Sequence, residues 1–504
     1  MRVSFIILLF LAIGNLALAQ TPGLKKFDLN KVGSSYPLYL TPFNAANGGK
    51  ICFFADEGIG DGFELYTCDG VNQPVLVLDL NPLAGSAVEQ YSNRPTIVLN
   101  NKLYFTGNSG TTGPEIYVFN GATMPTLVQD IVTGSEGSDP DDYVALNGVL
   151  YFCARNSNIG YELWSYDPVA ATPANQLTDI NPGPDSSVNG NLTVFNNKIY
   201  FTADSGIGNN ELFEFDPVFA NTSLLADIKA GPAGSWPQNL TVINGKMYFS
   251  AADSAGRELW VYDGTNNPAR ITDAVRGFRD GIPSRSETII ASMNGKIYFN
   301  AKDSNDNNYY LFTYDETTGN YGLAPKIKTT GSQDPLWITP YGGKLYFSAY
   351  NQATGYELWS YDTTDGAKQV MDLCTGTNSS DPKELTVIGN DLYFRAQECG
   401  GVGTELFKFN YTEVSVKNVS FAGDIRVFPN PASEYVNLSF KGKKQETLHI
   451  VFTDQAGKKV NECNISSDMP AITINIKSWV PGMYYYTAYN KDGVKYMMGK
   501  LVKN

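Results

Sequence analysis

Two residue types recur where they could do chemistry: a glutamate that opens a short apolar strand, and an aspartate in the loop before that strand. The glutamates are Glu64, Glu115, Glu162, Glu211, Glu258, Glu357 and Glu405, each followed by Leu or Ile and then an aromatic residue. The loop aspartates are Asp56, Asp204, Asp253 and Asp303. Paired carboxylates are the working parts of glycosidases, one donating a proton and the other attacking or activating water. Loops rich in Asp, Asn and Gly can instead ligate Ca²⁺. A glycosidase, however, needs one asymmetric pair, whereas this glutamate returns in seven of eight units. Such recurrence points to a structural duty, either capping backbone N–H groups or pairing with the lysine of a neighbouring strand. Turn-forming aspartate needs no metal either, because its side chain bonds the backbone two residues on. No cofactor is expected, with Ca²⁺ at Asp56, Asp204, Asp253 and Asp303 as the alternative.

Other chemistry is excluded more simply. The one histidine, His449, stands late in the chain on the apolar run Leu448-His449-Ile450. The residues before it therefore hold no Ser-His-Asp triad, no Cys-His pair and no His-ligated zinc. Neither a Gly-x-Ser-x-Gly elbow nor a phosphate-binding P-loop occurs. The expectation is a protein that is not an enzyme.

The elements that carry these residues form an internal repeat. A strand of the type Lys-Ile-Tyr-Phe closes on Phe53, Phe105, Phe152, Phe201, Phe249, Phe299, Phe347 and Phe394, with spacings of 47 to 52 residues. The Glu-Leu-aromatic strand follows each across a Gly/Asn/Asp/Ser-rich loop, the pattern of a hairpin. One further strand ends at Asp28, Asp79, Asp130, Asp179, Asp227, Asp273 or Asp372, and another runs into an Asn-Gly turn, as at Asn244-Gly245. Four strands in about 48 residues fit a propeller blade, whereas a β-solenoid coil is about half as long. Both faces of the Ile-Tyr-Phe strand are apolar, as a strand packed between neighbouring sheets requires. The fold class is all-β, an eight-bladed β-propeller with seven blades as the alternative, followed by a small Ig-like β-sandwich. The sixth unit is the most degenerate, with Tyr310 in the glutamate's place. The segment Phe27-Asp28-Leu29 precedes the first hairpin, so ring closure would pair it with the last blade and remove exposed edges.

Glu258-Leu259-Trp260-Val261-Tyr262-Asp263-Gly264-Thr265 matches the ELWxxDGT repeat motif over its full length, and the third and seventh units match it in part. Over residues 28–410 the chain resembles ELWxxDGT-repeat proteins. That resemblance implies an extracellular, often bacterial, repeat protein and supplies no catalytic residues.

Composition and charge set the address. Arg2, the apolar stretch Phe5 to Ile13 and the small-x-small sequence ending at Ala19, before Gln20, read as a cleaved signal peptide. About 15 apolar residues are too few for a comfortable membrane span, so no transmembrane segment is expected in the mature form. From Asp424 onward there are 11 Lys+Arg against 7 Asp+Glu, a net of +4. Arg2 adds one positive charge, so a total of −14 leaves −19 for residues 20–423. A surface that acidic repels phosphate backbones, which excludes nucleic acid as partner. In an exported chain disulfides are permitted. Cys52 and Cys68 each stand where most repeats have tyrosine, on the two strands of one hairpin, and are the disulfide candidate. Cys374 and Cys399 form a second candidate pair, and Cys153 and Cys463 are expected free.

The C-terminal segment reads as a compact β domain of about 80 residues. Val427-Phe428-Pro429-Asn430-Pro431 opens it, a turn follows at Asp454 to Gly457 and Lys458, and a late strand enters through Gly482 to Tyr484. A terminal strand runs through Lys500. In this order at the end of the chain the motifs resemble the type A sorting domain of the type IX secretion system of Bacteroidetes. The resemblance implies interaction with that secretion machinery, removal of the domain, and release or attachment at the outer-membrane surface. The expected organisation is a signal peptide over 1–19, the propeller over 20–415, a linker over 416–423 and the sorting domain over 424–504. The expected function is a monomeric secreted or surface-attached binding or scaffold propeller, its ligand a glycan or a surface protein. A polysaccharide-active enzyme and a purely structural adhesion component are the alternatives.

Overall fold

A computed structural model describes residues 23–504, apart from 44–50, 61, 83–84, 90–91, 157, 171, 276–278, 326–332, 400–402, 411–423, 442–446, 455–457, 470 and 490–494. The expected signal peptide with Ala19 and Gln20, the expected linker at 416–423 and Gly457 fall outside the described residues. Among those described, every named element is a strand and none is a helix. Among the described residues no helix is long and apolar enough to cross a membrane. The chain divides into two compact units, Met1–Val414 and Ser415–Asn504.

The first unit contains eight four-stranded antiparallel sheets among the described residues. The third sheet is representative: Asp141–Leu146, Val149–Asn156, Ile159–Tyr166 and Asn175–Gln176 pair in chain order. Asn147 and Gly148 join its first two strands with φ of 53° and 84°. Two consecutive left-handed residues are what a type I′ turn demands, and Asn-Gly reaches that conformation at low cost. The second strands carry the core. Ile51–Ala55 is buried at every position, and Lys344–Asn351 from Leu345 to Ala349. Replacing a fully buried ring such as Phe53 or Phe394 by Ala costs about 3–5 kcal/mol. Burial declines outward, and the fourth strand Val75–Leu78 is exposed or half-exposed.

The first strands pack against one another from sheet to sheet, and that of the first sheet, Leu38–Pro42, also meets that of the eighth, Lys383–Ile388. The eighth sheet takes its outer strand from the N-terminal side. Leu24–Phe27 pairs antiparallel with Gly403–Phe409, with Leu24 opposite Phe409 and Phe27 opposite Leu406. The edge that Gly403–Phe409 would otherwise present is thereby covered.

Five of the first strands slip register near their start, at Leu38/Thr41, Asp141/Val144, Gln238/Thr241, Leu336/Thr339 and Lys383/Thr386. Each slip contains a left-handed residue: Tyr39, Asp142, Asn239, Trp337 or Glu384, with φ of 55–59°. Bulges re-aim side chains, and here Tyr39, Asp142, Asn239 and Glu384 reach hydrogen-bond partners outside their own sheets.

The second unit has two sheets. Asp424–Phe428, Tyr435–Lys441 and Ile472–Asn475 form one; Lys459–Ser466, Thr447–Thr453, Gly482–Tyr489 and Lys495–Lys503 form the other. Val436, Leu438 and Phe440 from the first meet Leu448, Ile450 and Phe452 from the second in one core. Burial alternates residue by residue along Thr447–Thr453, as a strand with one solvated face must.

Candidate functional site

The repeated glutamates are buried and committed to backbone. Glu357 accepts the N–H of Leu373 at 3.1 Å, the N–H of Ser380 at 2.9 Å and the Ser380 hydroxyl at 2.6 Å. Glu115 does the same with Val132, the Ser138 N–H and the Ser138 hydroxyl, at 2.9, 3.0 and 2.6 Å. Each glutamate thus ties down the segment leading from its own sheet to the next. Glu405 applies the rule across the chain ends, accepting Leu29 N–H at 3.1 Å and the Ser35 hydroxyl at 2.6 Å. Several second-strand lysines instead pair with acids at the far end of the hairpin, as Lys344 does with Asp362 at 2.7 Å. Of the two structural duties expected for the glutamates, N–H capping is the one found. Burial raises Glu162 and Glu357 to about 7, despite the hydrogen bonds that favour their ionised forms.

The loop aspartates form turns. Asp56 accepts Gly58 N–H at 2.7 Å, Asp204 accepts Gly206 N–H at 2.8 Å, Asp253 accepts Ala255 N–H at 2.7 Å, and Asp303 accepts Asn305 N–H at 3.0 Å. They belong to four different sheets, so the structure does not bring them together. Among the described residues no group of three or more His, Cys, Asp or Glu is set to hold a metal ion. Asp303 and Asp273 do line an open cavity of about 770 Å³ on the sixth sheet.

The cysteine pairing is corrected. Cys374 is bonded to Cys399, while Cys52 and Cys68 are free and buried. The reason lies in register: Cys52 is opposite Thr67 and Cys68 is opposite Ile51. Residues one step apart in a pleated pair point to opposite faces, and the two thiols enter separate cores. Cys153 and Cys463 are free.

The C-terminal motif residues fasten the last strand. Asn430 accepts Val502 N–H and donates to the Lys500 carbonyl, both at 2.9 Å, between Pro429 and Pro431. Asp454 accepts Lys458 N–H at 2.9 Å across a turn. Gly482 begins the late strand, and Tyr484 donates to the Val480 carbonyl at 2.7 Å with its ring 4.7 Å from that of Trp479.

A cavity of about 300 Å³ lies among the second, third and fourth sheets. Its walls include Glu89, Asn93, Asp139, Asp141, Asp142, Cys153, Tyr161 and Val188. Asp142, placed by the bulge, is 1% exposed, accepts Leu192 N–H at 2.8 Å and pairs with Arg94. Arg94 also donates to the Leu192 carbonyl, so one ion pair joins all three sheets. Asp139 is held by Arg155 at 2.6 Å. Asp141 accepts the N–H groups of Asn93 at 2.7 Å, Arg94 at 2.9 Å and Asp142 at 2.8 Å; neither it nor the exposed Glu89 makes an ion pair among the described residues. Burial, with the neighbouring charge of Asp142, raises Asp141 to about 6. At the matching register position the other bulged sheets carry Leu38, Gln238, Leu336 and Lys383. A carboxylate there is peculiar to the third sheet. Sequence reasoning passed over it by following what repeats; the signal was the departure, three acids in the four residues Asp139-Pro140-Asp141-Asp142.

Residues 426–504 match the family described as the secretion system C-terminal sorting domain. The match supports the type IX sorting assignment and implies secreted or cell-surface export. No curated protein matches the chain significantly. Among solved structures, a puromycin hydrolase is 15% identical over 75% of this chain and 61% of its own, with a TM-score of 0.45. An oligogalacturonate lyase in complex with manganese is 11% identical over 75% of this chain and 98% of its own, with a TM-score of 0.40. The β-propeller domain of the trilobed protease from Pyrococcus furiosus is 9% identical over 62% and 91%, with a TM-score of 0.35. The chain spans about three fifths of the hydrolase's length. At these values none of the three carries an activity over to this chain.

Proposed function

We propose that the chain is an exported binding module: a ring of eight four-stranded blades that holds its ligand without transforming it. The eight repeat sheets, the contact between first strands of the first and eighth sheets, and the outer strand supplied by Leu24–Phe27 support that blade count. One observation carries the non-catalytic reading. The glutamates that return around the ring, apart from one oxygen of Glu258, spend their oxygens on backbone N–H and hydroxyl groups of the connecting segments. Such engagement disfavours them as acid, base or nucleophile. The C-terminal domain supplies the address, and the acidic body keeps the exported protein soluble. The ligand is a glycan or a surface protein.

The test is incubation of the full chain with a panel of polysaccharides, scoring retention and new reducing or unsaturated ends together. Retention without product is the expected result, and product formation would overturn the non-catalytic reading. Export is tested separately by intact-mass analysis of the medium and cell surface. Residues 424–504 should be missing from the delivered protein.

A further inference from the structure

We infer that the chain holds a neutral glycan along a band of side chains on the fifth, sixth and seventh sheets, with Trp236 and Tyr350 stacking on its sugar rings. The inference rests on the binding-module reading and names the ligand class and the place that receives it.

Trp236 begins the band. It precedes the fifth sheet's first strand, Gln238–Ile243, and is 46% exposed, whereas the other tryptophans are buried or half-buried. Its indole N–H bonds no protein group among the described residues. Its backbone is left-handed, with φ of 50°, a conformation that bulky residues rarely adopt. The matching residues Tyr36, Asp139, Asp334 and Asp381 are left-handed too, yet only at Trp236 does a buried guanidinium hold the turn. Arg257, 5% exposed, donates to the Trp236 carbonyl at 2.8 Å and to the carbonyl and hydroxyl of Ser250, both at 3.3 Å. No carboxylate answers it in an ion pair among the described residues. Desolvating a cation without a counter-charge is costly, and the other seven units carry an uncharged residue at that position. The chain thus gives up stability to fix a large ring in water, as strained binding residues do.

From Trp236 the band continues through hydrogen bonds. Trp236 and Asp334 lie at the same end of their sheets. Each donates its N–H, at 3.0 Å, to the residue at the start of the preceding sheet's third strand, Asn210 or Tyr309. Between them the Ser284 hydroxyl donates to Gln238 at 2.9 Å, and Arg285 donates to Asp334 at 2.8 Å. Asp334 also accepts the Tyr356 hydroxyl at 3.1 Å, and the Tyr356 ring lies 5.3 Å from that of Tyr350, which is 39% exposed. Asp334 is thereby committed and orients Arg285, whose remaining guanidinium N–H groups are open among the described residues, as is the Gln238 amide N–H₂.

Two exposed rings with polar donors between them match the two surfaces of a sugar chain. The C–H face of a pyranose packs on an aromatic ring, whose face carries negative charge, while its hydroxyls bond amide, hydroxyl and guanidinium groups. A protein partner would require an apolar centre that excludes water; here the apolar groups stand at the ends and the centre is polar. A net charge of −19 over residues 20–423 repels polyanions, so the glycan is neutral. The band crosses three sheets, which fits several sugar rings rather than one.

The experiment is titration of the full chain with cellohexaose, mannohexaose, xylohexaose, chitohexaose and the anionic hexagalacturonate, followed by calorimetry and tryptophan emission. At least one neutral hexasaccharide should bind saturably with Kd on the order of 0.1 mM, shift the emission to the blue and shield it from iodide. Affinity should fall by about tenfold in Trp236→Asn, whose side chain tolerates the left-handed backbone and so guards against a folding defect. Tyr350→Ala should lose about tenfold as well. Phe219→Ala, which removes an exposed ring outside the band, should bind as the unmodified chain does. Four results overturn the inference: no saturable binding of a neutral probe, binding that either band substitution leaves unmoved in folded protein, equal loss in Phe219→Ala, or tighter binding of hexagalacturonate than of every neutral probe. Polysaccharide retention that survives in Trp236→Asn leaves the binding-module reading standing with its site elsewhere, whereas product formation removes that reading itself.

Discussion

Glu357 shows how one residue type can look catalytic and act as mortar. Its two oxygens satisfy two buried N–H groups and a hydroxyl in the connection to the next sheet. Glu357→Ala should cost about 2–4 kcal/mol in urea unfolding, since it strands all three donors. Glu258→Ala should cost less, because Glu258 serves only the Thr272 hydroxyl and Ala274 N–H and its other oxygen has no partner. Equal losses would argue against the capping account. The same glutamates set a pH dependence. Burial raises Glu115, Glu162, Glu211, Glu258, Glu357 and Glu405. The folded chain therefore holds protons that the unfolded chain has released by about pH 5 to 6. Their contribution to stability is full below the unfolded value near pH 4.5 and is lost as pH rises through the folded value, about 7 for Glu162 and Glu357. The urea midpoint should thus be higher at about pH 5 than at about pH 8, and Glu357→Gln should flatten the slope. That the glutamates have a structural duty was legible in the sequence because they return seven times, whereas the choice of N–H capping over pairing with lysine was not, since it depends on where the connecting segments run. The oriented Asp141 was not legible either, since its N–H partners come from a segment some 47 residues earlier.

At the scale of elements, register decides what spacing cannot. Cys52 and Cys68 lie on paired strands, yet the pleat turns them to opposite faces, a fact no count of residues reveals without the pairing. Cys374 and Cys399 instead join the connection after the seventh sheet to the hairpin end of the eighth. Alkylation in denaturant without reductant should label Cys52, Cys68, Cys153 and Cys463 and spare that pair. Reduction should lower stability by about 3 kcal/mol, as expected for closing a loop of 25 residues. The C-terminal strand offers a parallel case. Asn430→Ala removes both bonds to that strand, and faster amide exchange at Val502 is the expected result, with unchanged protection at Ile450 marking the effect as local.

For the molecule as a whole, the repeat, the four-strand unit and the joining of the N-terminal strand to the last hairpin were readable from period and turn chemistry alone. What was not readable is where eight similar units differ usefully, because that depends on which sheets meet. A chain beginning after Asp28 would leave Gly403–Phe409 as an open edge. It should associate or melt with lost cooperativity in sedimentation and thermal unfolding. The claim that the repeated glutamates build the ring and do not act on its ligand is tested most directly by measuring urea stability and polysaccharide retention together in Glu357→Gln. Glu357→Gln should lose about 1–3 kcal/mol of stability and retain polysaccharide as the unmodified chain does. Unchanged stability, or loss of retention in folded Glu357→Gln, would contradict it.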